Sequence, residues 1–333
     1  MLIGQGFKEQ IKLKIASFTI LFLLIAPSLK SQITRTNDIA SNYYNNIAPP
    51  KYNDVNPLVL SNIEKKPDGS NFLNRKWSVD LFFYPQFRFK NAVLTKMYLI
   101  QANINPTIHF NMWRGAAITT QLIFPAYNDY SSDESKVRPG FITFSQQFNL
   151  LDNFQFLATV GNFNMQRAGV DVKFFKNITN IMGIYGQVGV TNWSLAYLDN
   201  WYFSDLTKVN WRAGINYFLK SKNVLINLNV SKYLEDDIAL RGEVIRYFKN
   251  ASIGFYLQTL QYEGYTVNGG FFFTILLPPR NKGNRRIRVS TSEHFSLEYM
   301  ARPYTKRGVF YKTAPDENSS FNFFNKSLLN YYK

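Results

Sequence analysis

The sequence predicts an all-β protein, an antiparallel up-and-down transmembrane β-barrel of about 12–14 strands. Three observations carry that expectation. From Trp77 onward apolar and polar residues alternate with period two over many segments. Many of those segments approach the nine to eleven residues that a tilted strand needs to cross a bilayer. No run of about 18 apolar residues follows the amino-terminal region, so a chain that enters a membrane there must do so as strands.

Taken in order, the chain begins with "MLIGQGFKEQIKLKIASFTILFLLIAPSLKSQ". Lys8, Lys12 and Lys14 form a basic head, an apolar run extends from Ile15 to Ile25, and Pro27 and Ser31 precede Gln32. This is the pattern of a secretory signal peptide over residues 1–31, and its apolar run is short for a membrane span. The mature chain is therefore expected outside the cytoplasm. Residues 32–76 are rich in Asn, Pro, Asp and Ser without a sustained period, and are expected to form an extended periplasmic leader. Residues 77–303 carry the predicted barrel, and 304–333 a tail or final segment.

Composition narrows the partners. There is no cysteine, which excludes disulfides, thiolate metal sites and a lipid-bearing cysteine after the signal. Loss of residues 1–31, with four lysines and Glu9, lowers the net charge from +16 to +13. A basic exported protein is matched to an anionic surface or polymer rather than to nucleic acid. Lipopolysaccharide, acidic polysaccharide and phospholipid headgroups all fit.

The clearest strand is "YLIQANINPTIHFNMW". It sets Ile100, Ala102, Ile104, Pro106, Ile108, Phe110 and Met112 on one face and Gln101, Asn103, Asn105, Thr107, His109 and Asn111 on the other. "VLINLNVS" opposes Val224, Ile226, Leu228 and Val230 to Asn227, Asn229 and Ser231, and "SIGFYLQT" opposes Ile253, Phe255 and Leu257 to Ser252, Gly254, Tyr256 and Gln258. "AGVDVKFF" opposes Val170, Val172 and Phe174 to Asp171 and Lys173. Weaker alternation near 77–90, 115–126, 140–149, 153–163, 180–191, 194–204, 208–219, 238–248, 265–277 and 287–299 brings the total to about 14 candidate strands. The polar faces carry Asn, Gln, Gly and ions, as a watered or plugged lumen requires. Trp113, Tyr127, Trp193, Trp201, Tyr202, Trp211, Tyr217 and Tyr247 gather towards segment ends, where interfacial girdles sit.

In "VNGGFFFTILLPPRNKGNRRIRVS", Val267, Gly269, Phe271, Phe273 and Ile275 share a strand face, and Pro278 and Pro279 stop the ladder because proline cannot donate. Arg280, Lys282, Arg285, Arg286 and Arg288 then follow as candidates for contact with an anionic surface. Counted as following strand 13 from a periplasmic leader, that loop faces outward; a count different by one strand turns it to the periplasm.

Enzymatic and metal signals are thin. The chain has two histidines: no serine is set beside His109 by sequence, and His294, in "TSEHFSLEY", is no better supported as a catalytic residue. No histidine or carboxylate pair has metal-ligand spacing, Glu235 to Asp237 reads as a turn, and no cofactor is expected. Ions inside strands are more informative. Asp171, Lys173, Arg241 and Glu243 are each too costly to face lipid and should face the lumen. Arg241 and Glu243 share a face and can pair, whereas Arg246 has the opposite parity. Such residues either brace a closed barrel or line a path for an acidic polymer.

"FNMQRAGVDVKFF", "LRGEVIRYFKNASIGFYLQT", "NGGFFFTILLPPR" and "HFSLEYMARP", in that order, resemble the C-terminal part of the YjbH and GfcD type of outer-membrane proteins, over roughly residues 77–303. Those proteins are associated with exopolysaccharide and group 4 capsule production. The resemblance implies an outer-membrane barrel of a Gram-negative bacterium, non-enzymatic, that takes part in polysaccharide export or surface assembly as conduit or accessory. Lipoprotein and periplasmic partners are expected with it. No counterpart of the N-terminal half of the longer members is expected in this chain. Two other readings stay open: a structural subunit of a larger outer-membrane complex, and an outer-membrane enzyme acting on lipid or polysaccharide.

Overall fold

The computed structural model describes residues 77–91, 98–130, 132–150, 154–179, 181–248, 251–261, 264–277, 286–292, 294–301 and 307–317. The signal and leader expectations lie outside these residues. Chain contacts divide the protein into two units, Met1–Val55 and Asn56–Lys333, and every described residue belongs to the second.

The described residues form one 14-stranded sheet with no α-helix. Its strands are β1 (Ser78–Asn91), β2 (Tyr98–Asn111), β3 (Ala116–Asn128), β4 (Arg138–Leu150), β5 (Phe154–Phe163), β6 (Arg167–Asn177), β7 (Met182–Ala196), β8 (Trp201–Leu219), β9 (Val224–Lys232), β10 (Ile238–Tyr247), β11 (Ala251–Gln261), β12 (Tyr265–Leu276), β13 (Ile287–Thr291) and β14 (His294–Met300). The order is β13-β1-β2-β3-β4-β5-β6-β7-β8-β9-β10-β11-β12-β14. Every neighbouring pair is antiparallel except β1 and β13, which run parallel. The up-and-down expectation is therefore corrected at one place.

That place is where the sheet's two ends meet in sequence. β13 lies on β1 with Val79 opposite Ile287 and Phe83 opposite Thr291, and the Ser292 N–H donates to the Phe83 carbonyl at 3.1 Å. The chain then leaves β1 and continues as β14 against β12, with Gly270 opposite Met300 and Leu276 opposite His294. One short stretch of chain thus serves both terminal strands, while the hydrogen-bonded ladder itself is not closed.

Two segment boundaries differ from those read in the sequence. Separate strands at 194–204 and 208–219 are replaced by β7 running to Ala196 and by β8, a single strand of 19 residues. Its first half pairs with β7 alone, because β9 reaches only to Trp211. The single segment 287–299 is instead two strands that change partners. The tip of the β5–β6 hairpin holds Met165 and Gln166 at φ 58°, which reverses the chain in three residues. Between β2 and β3, Gly115 takes φ +80°, and a Cβ there would fall 2.3 Å from the Gln147 carbonyl oxygen, so only glycine fits.

The distribution of polarity is inverted relative to a soluble sheet. On β2, Gln101, Asn103, Asn105, Thr107, His109 and Asn111 are all buried, while Ile104 is 53% and Ile108 47% exposed. The same holds on β6, where Asp171 and Lys173 are buried and Val170 is exposed, and on β11, where Tyr256 and Gln258 are buried and Phe255 is exposed. On these strands the amide and charged side chains face inward and the aliphatic ones outward, with aromatics on both sides. Ordinary burial would place them the other way round.

Candidate functional site: the charged inner face

The inner face is held by three groups of ions and by a segment that lies across it. The first group is on β6–β8. Asp171 and Lys173, two residues apart, project to the same side because strand side chains alternate. Gln187 Nε2 donates to Asp171 Oδ2 at 2.9 Å, and Arg212 Nη2 donates to Gln187 Oε1 at 2.6 Å. Lys173 Nζ and Asp171 Oδ1 lie 3.8 Å apart.

The second group joins β7, β9, β10, β11 and β14. Arg241 Nε donates to Glu243 Oε1 at 2.6 Å, and its Nη2 lies 3.5 Å from Glu298 Oε1. Its guanidinium stacks 3.7 Å above the Tyr256 ring. Asn227 Nδ2 donates to Glu243 Oε2 at 2.8 Å, and Asn227 Oδ1 accepts from the Tyr185 hydroxyl at 2.9 Å. The third group is at the meeting of the sheet ends. Arg288 forks onto Asp80, Nε to Oδ1 at 2.7 Å and Nη2 to Oδ2 at 2.9 Å, and Asn111 Nδ2 donates to the same carboxylate at 3.0 Å.

Residues 307–317 lie across this face as a strap. At one end the Gly308 N–H donates to Asp237 Oδ2 at 2.7 Å and its carbonyl accepts from Gln258 Nε2 at 3.3 Å. Phe310 packs under the Arg212 guanidinium at 4.6 Å and against Tyr233. Tyr311 stacks on Phe163, centroids 5.2 Å apart and planes within 8°, and its hydroxyl donates to Asp171 Oδ2 at 2.7 Å. The Lys312 N–H donates to Asn164 Oδ1 at 2.6 Å. At the other end Lys173 Nζ donates to Thr313 Oγ1 at 2.7 Å and pairs with Glu317. Burial, and then the Asp171 carboxylate beside it, hold the Tyr311 phenol well above its ordinary range, so it stays protonated and donates its hydrogen bond to Asp171.

All four ions read as lumen-facing, Asp171, Lys173, Arg241 and Glu243, are on the inner face, and Arg246 is exposed on the outer one over Phe248. They do not form one site: the first pair meets the strap and the second meets Glu298. Among the anionic-surface candidates, Arg280, Lys282 and Arg285 lie outside the described residues, and Arg286 is exposed. Arg288 is turned onto Asp80 instead of outward. Because twelve strands precede them, residues 277 and 286 return to the end of the sheet where β1 begins, with Ile287 level with Val79. The basic stretch is thus bracketed at the same end as Trp77, contrary to a count of thirteen.

His109 is buried, with Nδ1 2.8 Å from Thr119 Oγ1 and Nε2 3.4 Å from the Tyr84 hydroxyl. Ser292 donates to the His294 carbonyl at 2.9 Å. Among the described residues no cluster of three or more His, Cys, Asp or Glu side chains is arranged to hold a metal ion. The chemistry available on this face is charge neutralisation and hydrogen bonding.

Sequence reasoning missed Asp80, Gln187, Arg212, Glu298 and the whole strap. Asp80, Gln187 and Arg212 have the inward parity of their strands, a signal present in the alternation. Nothing in the irregular sequence of 307–317 marks it as an internal ligand. A scan against protein-family models gave no match, and a search of the curated proteins gave none either.

Proposed function

We propose that this chain is an outer-membrane β-barrel of a Gram-negative bacterium, its outward face in lipid and its polar face around an interior filled by its own side chains and by the strap. In this reading it serves the surface assembly of a polysaccharide as an accessory, not as an open conduit. The observation that carries the membrane reading is the inversion of the sheet, with amides and ions buried and aliphatic residues exposed on strand after strand. In water that arrangement forfeits the hydrophobic contribution to folding, about 25 cal/mol per Å² of apolar surface. In hydrocarbon it is the arrangement the solvent demands.

Further support comes from the passage of one chain segment from β1 to β12, which pairs both of these strands with the same short stretch of chain, and from strands of nine to nineteen residues over β1–β12. Trp113, in the β2–β3 turn, and Trp193, level with Arg167 at the start of β6, satisfy their indole N–H groups on Gln146 and Gln166, as side chains at a wet boundary do. The accessory role is favoured by the neutralisation of the inner ions by one another and by the strap, which leaves them braced. The polysaccharide is drawn from the resemblance to the YjbH and GfcD type of proteins.

The test has two parts. Purified full-length protein is expected to migrate differently in SDS before and after heating, and to be labelled from the lipid phase at Val170, Val188 and Phe255. Recovery as a detergent-free soluble protein overturns the membrane reading. In a clean deletion, surface polysaccharide is expected to fall; unchanged polymer in the surface, periplasmic and secreted fractions overturns the polysaccharide role and leaves a structural subunit.

A further inference from the structure

We infer that residues 307–317 are a removable plug, and that Asp171 and Lys173 are placed side by side so that the plug can leave without stranding either of them. The inference rests on the enclosed interior proposed above.

The strap contributes to the inner face what a separate ligand would contribute. It brings a hydroxyl to Asp171, a carboxylate and a hydroxyl to Lys173, an aromatic face to Phe163, and a backbone N–H to Asp237. Its fit is keyed by a missing side chain. A Cβ on Gly189 would stand 1.7 Å from the Tyr311 hydroxyl oxygen, so β7 is bare where the phenol sits. Yet among the described residues this short segment has no strand pairing, and its backbone is fastened at few places: the Gly308 N–H and carbonyl at one end, the Lys312 N–H and carbonyl at the hairpin tip in the middle, and Thr313 and Glu317 within its own turn. Segments with few backbone bonds open at lower free energy than the sheet that holds them.

Removing a partner from a buried ion is normally costly because the remaining charge is uncompensated. Here two of the ions that the strap serves, Asp171 and Lys173, have opposite sign and are already 3.8 Å apart. With the strap docked, Asp171 receives Tyr311 and Gln187, and Lys173 receives Thr313 and Glu317. With the strap gone, Asp171 and Lys173 pair with each other through a small rotamer change, Gln187 staying on Asp171. The Asp171–Lys173 pair therefore has two compensated arrangements, which is the requirement for a switch, while the Asp237 contact with Gly308 is a charge contact that holds the strap closed.

The chain's lack of cysteine makes the test direct. Full-length protein is reconstituted in planar bilayers, and conductance is compared for wild type, Tyr311→Ala/Glu317→Ala, and the same double variant carrying Asn164→Cys and Lys312→Cys. The double variant should raise the open fraction at least about tenfold, equivalent to ~1.4 kcal/mol. Oxidation of the added cysteines should return it to the wild-type level and reduction should restore it. A double variant that inserts and stays heat-modifiable, yet conducts like wild type, with its cysteine-bearing version doing so in both redox states, overturns the plug. Failure of wild type itself to insert overturns the membrane reading instead, so the two failures are distinguishable.

Discussion

The Tyr311 hydroxyl oxygen occupies a point 1.7 Å from where a Cβ on Gly189 would stand, so the strap is seated against a strand that is bare at that residue. Gly189→Ala should therefore displace Tyr311 while leaving β7 able to pair, since residue 189 lies within the β7 ladders to β6 and β8. Overpacking of this kind costs about 1–3 kcal/mol. Limited proteolysis within 307–317 should become faster, and Tyr311→Gly in the same background should return unfolding of the sheet towards the wild-type temperature.

A double-mutant cycle on the first ion group should be non-additive. Asp171→Ala in wild type leaves Lys173 held by Glu317 and Thr313, whereas in a Glu317→Ala background it removes the other carboxylate beside the same buried ammonium. The second cost should exceed the first by about 1–3 kcal/mol. Thermal unfolding of the four proteins in detergent measures it, and equal costs would mean that Asp171 and Glu317 do not share Lys173.

Charge on the outward face separates a lipid environment from water. Val170→Arg, Val244→Arg and Phe255→Arg replace residues that are half or more exposed. In water such changes stay within about 0.5 kcal/mol. Facing hydrocarbon near the bilayer midplane, each should cost about 2–4 kcal/mol, and less towards the strand ends. Unfolding from lipid bilayers in denaturant is the measurement.

At the turn between β9 and β10, Lys208 and Lys232 bond to Asp236 and hold its carboxyl below the usual carboxylate range. A depressed carboxylate contributes stability above its unfolded pKa and loses it as pH falls through the folded value. Asp236→Asn should thus be less stable than wild type at neutral pH and indistinguishable from it in strong acid. The exposed setting limits the difference to below about 1 kcal/mol, and high salt should reduce it further.

How far the sequence discloses this protein depends on which interactions have a period. The inward set of β2 and the pairs Asp171 with Lys173 and Arg241 with Glu243 follow from alternation alone, because parity decides the face before any partner is known. Parity does not give partners across distant strands. Arg288 reads as a surface charge beside Arg285 and Arg286, and only the parallel pairing of β13 with β1 brings it to Asp80, 208 residues away. The strap is hidden for a related reason. Its side chains are matched to an inner surface assembled from β5 to β11, and an irregular segment carries no periodic mark of such a fit.

The handover of one chain from β1 to β12 also sets an order of events. Val79 finds Ile287 only after all twelve preceding strands exist, so the first strand has an open flank throughout synthesis. Contacts of such sequence separation form late, because the entropy of closing the intervening loop must be met before they return anything. Until then β1 presents a bare strand edge, the kind of surface that recruits other chains. Ile287–Met300 therefore acts as the finishing step of assembly, and chains cut short of Ile287 should aggregate through β1.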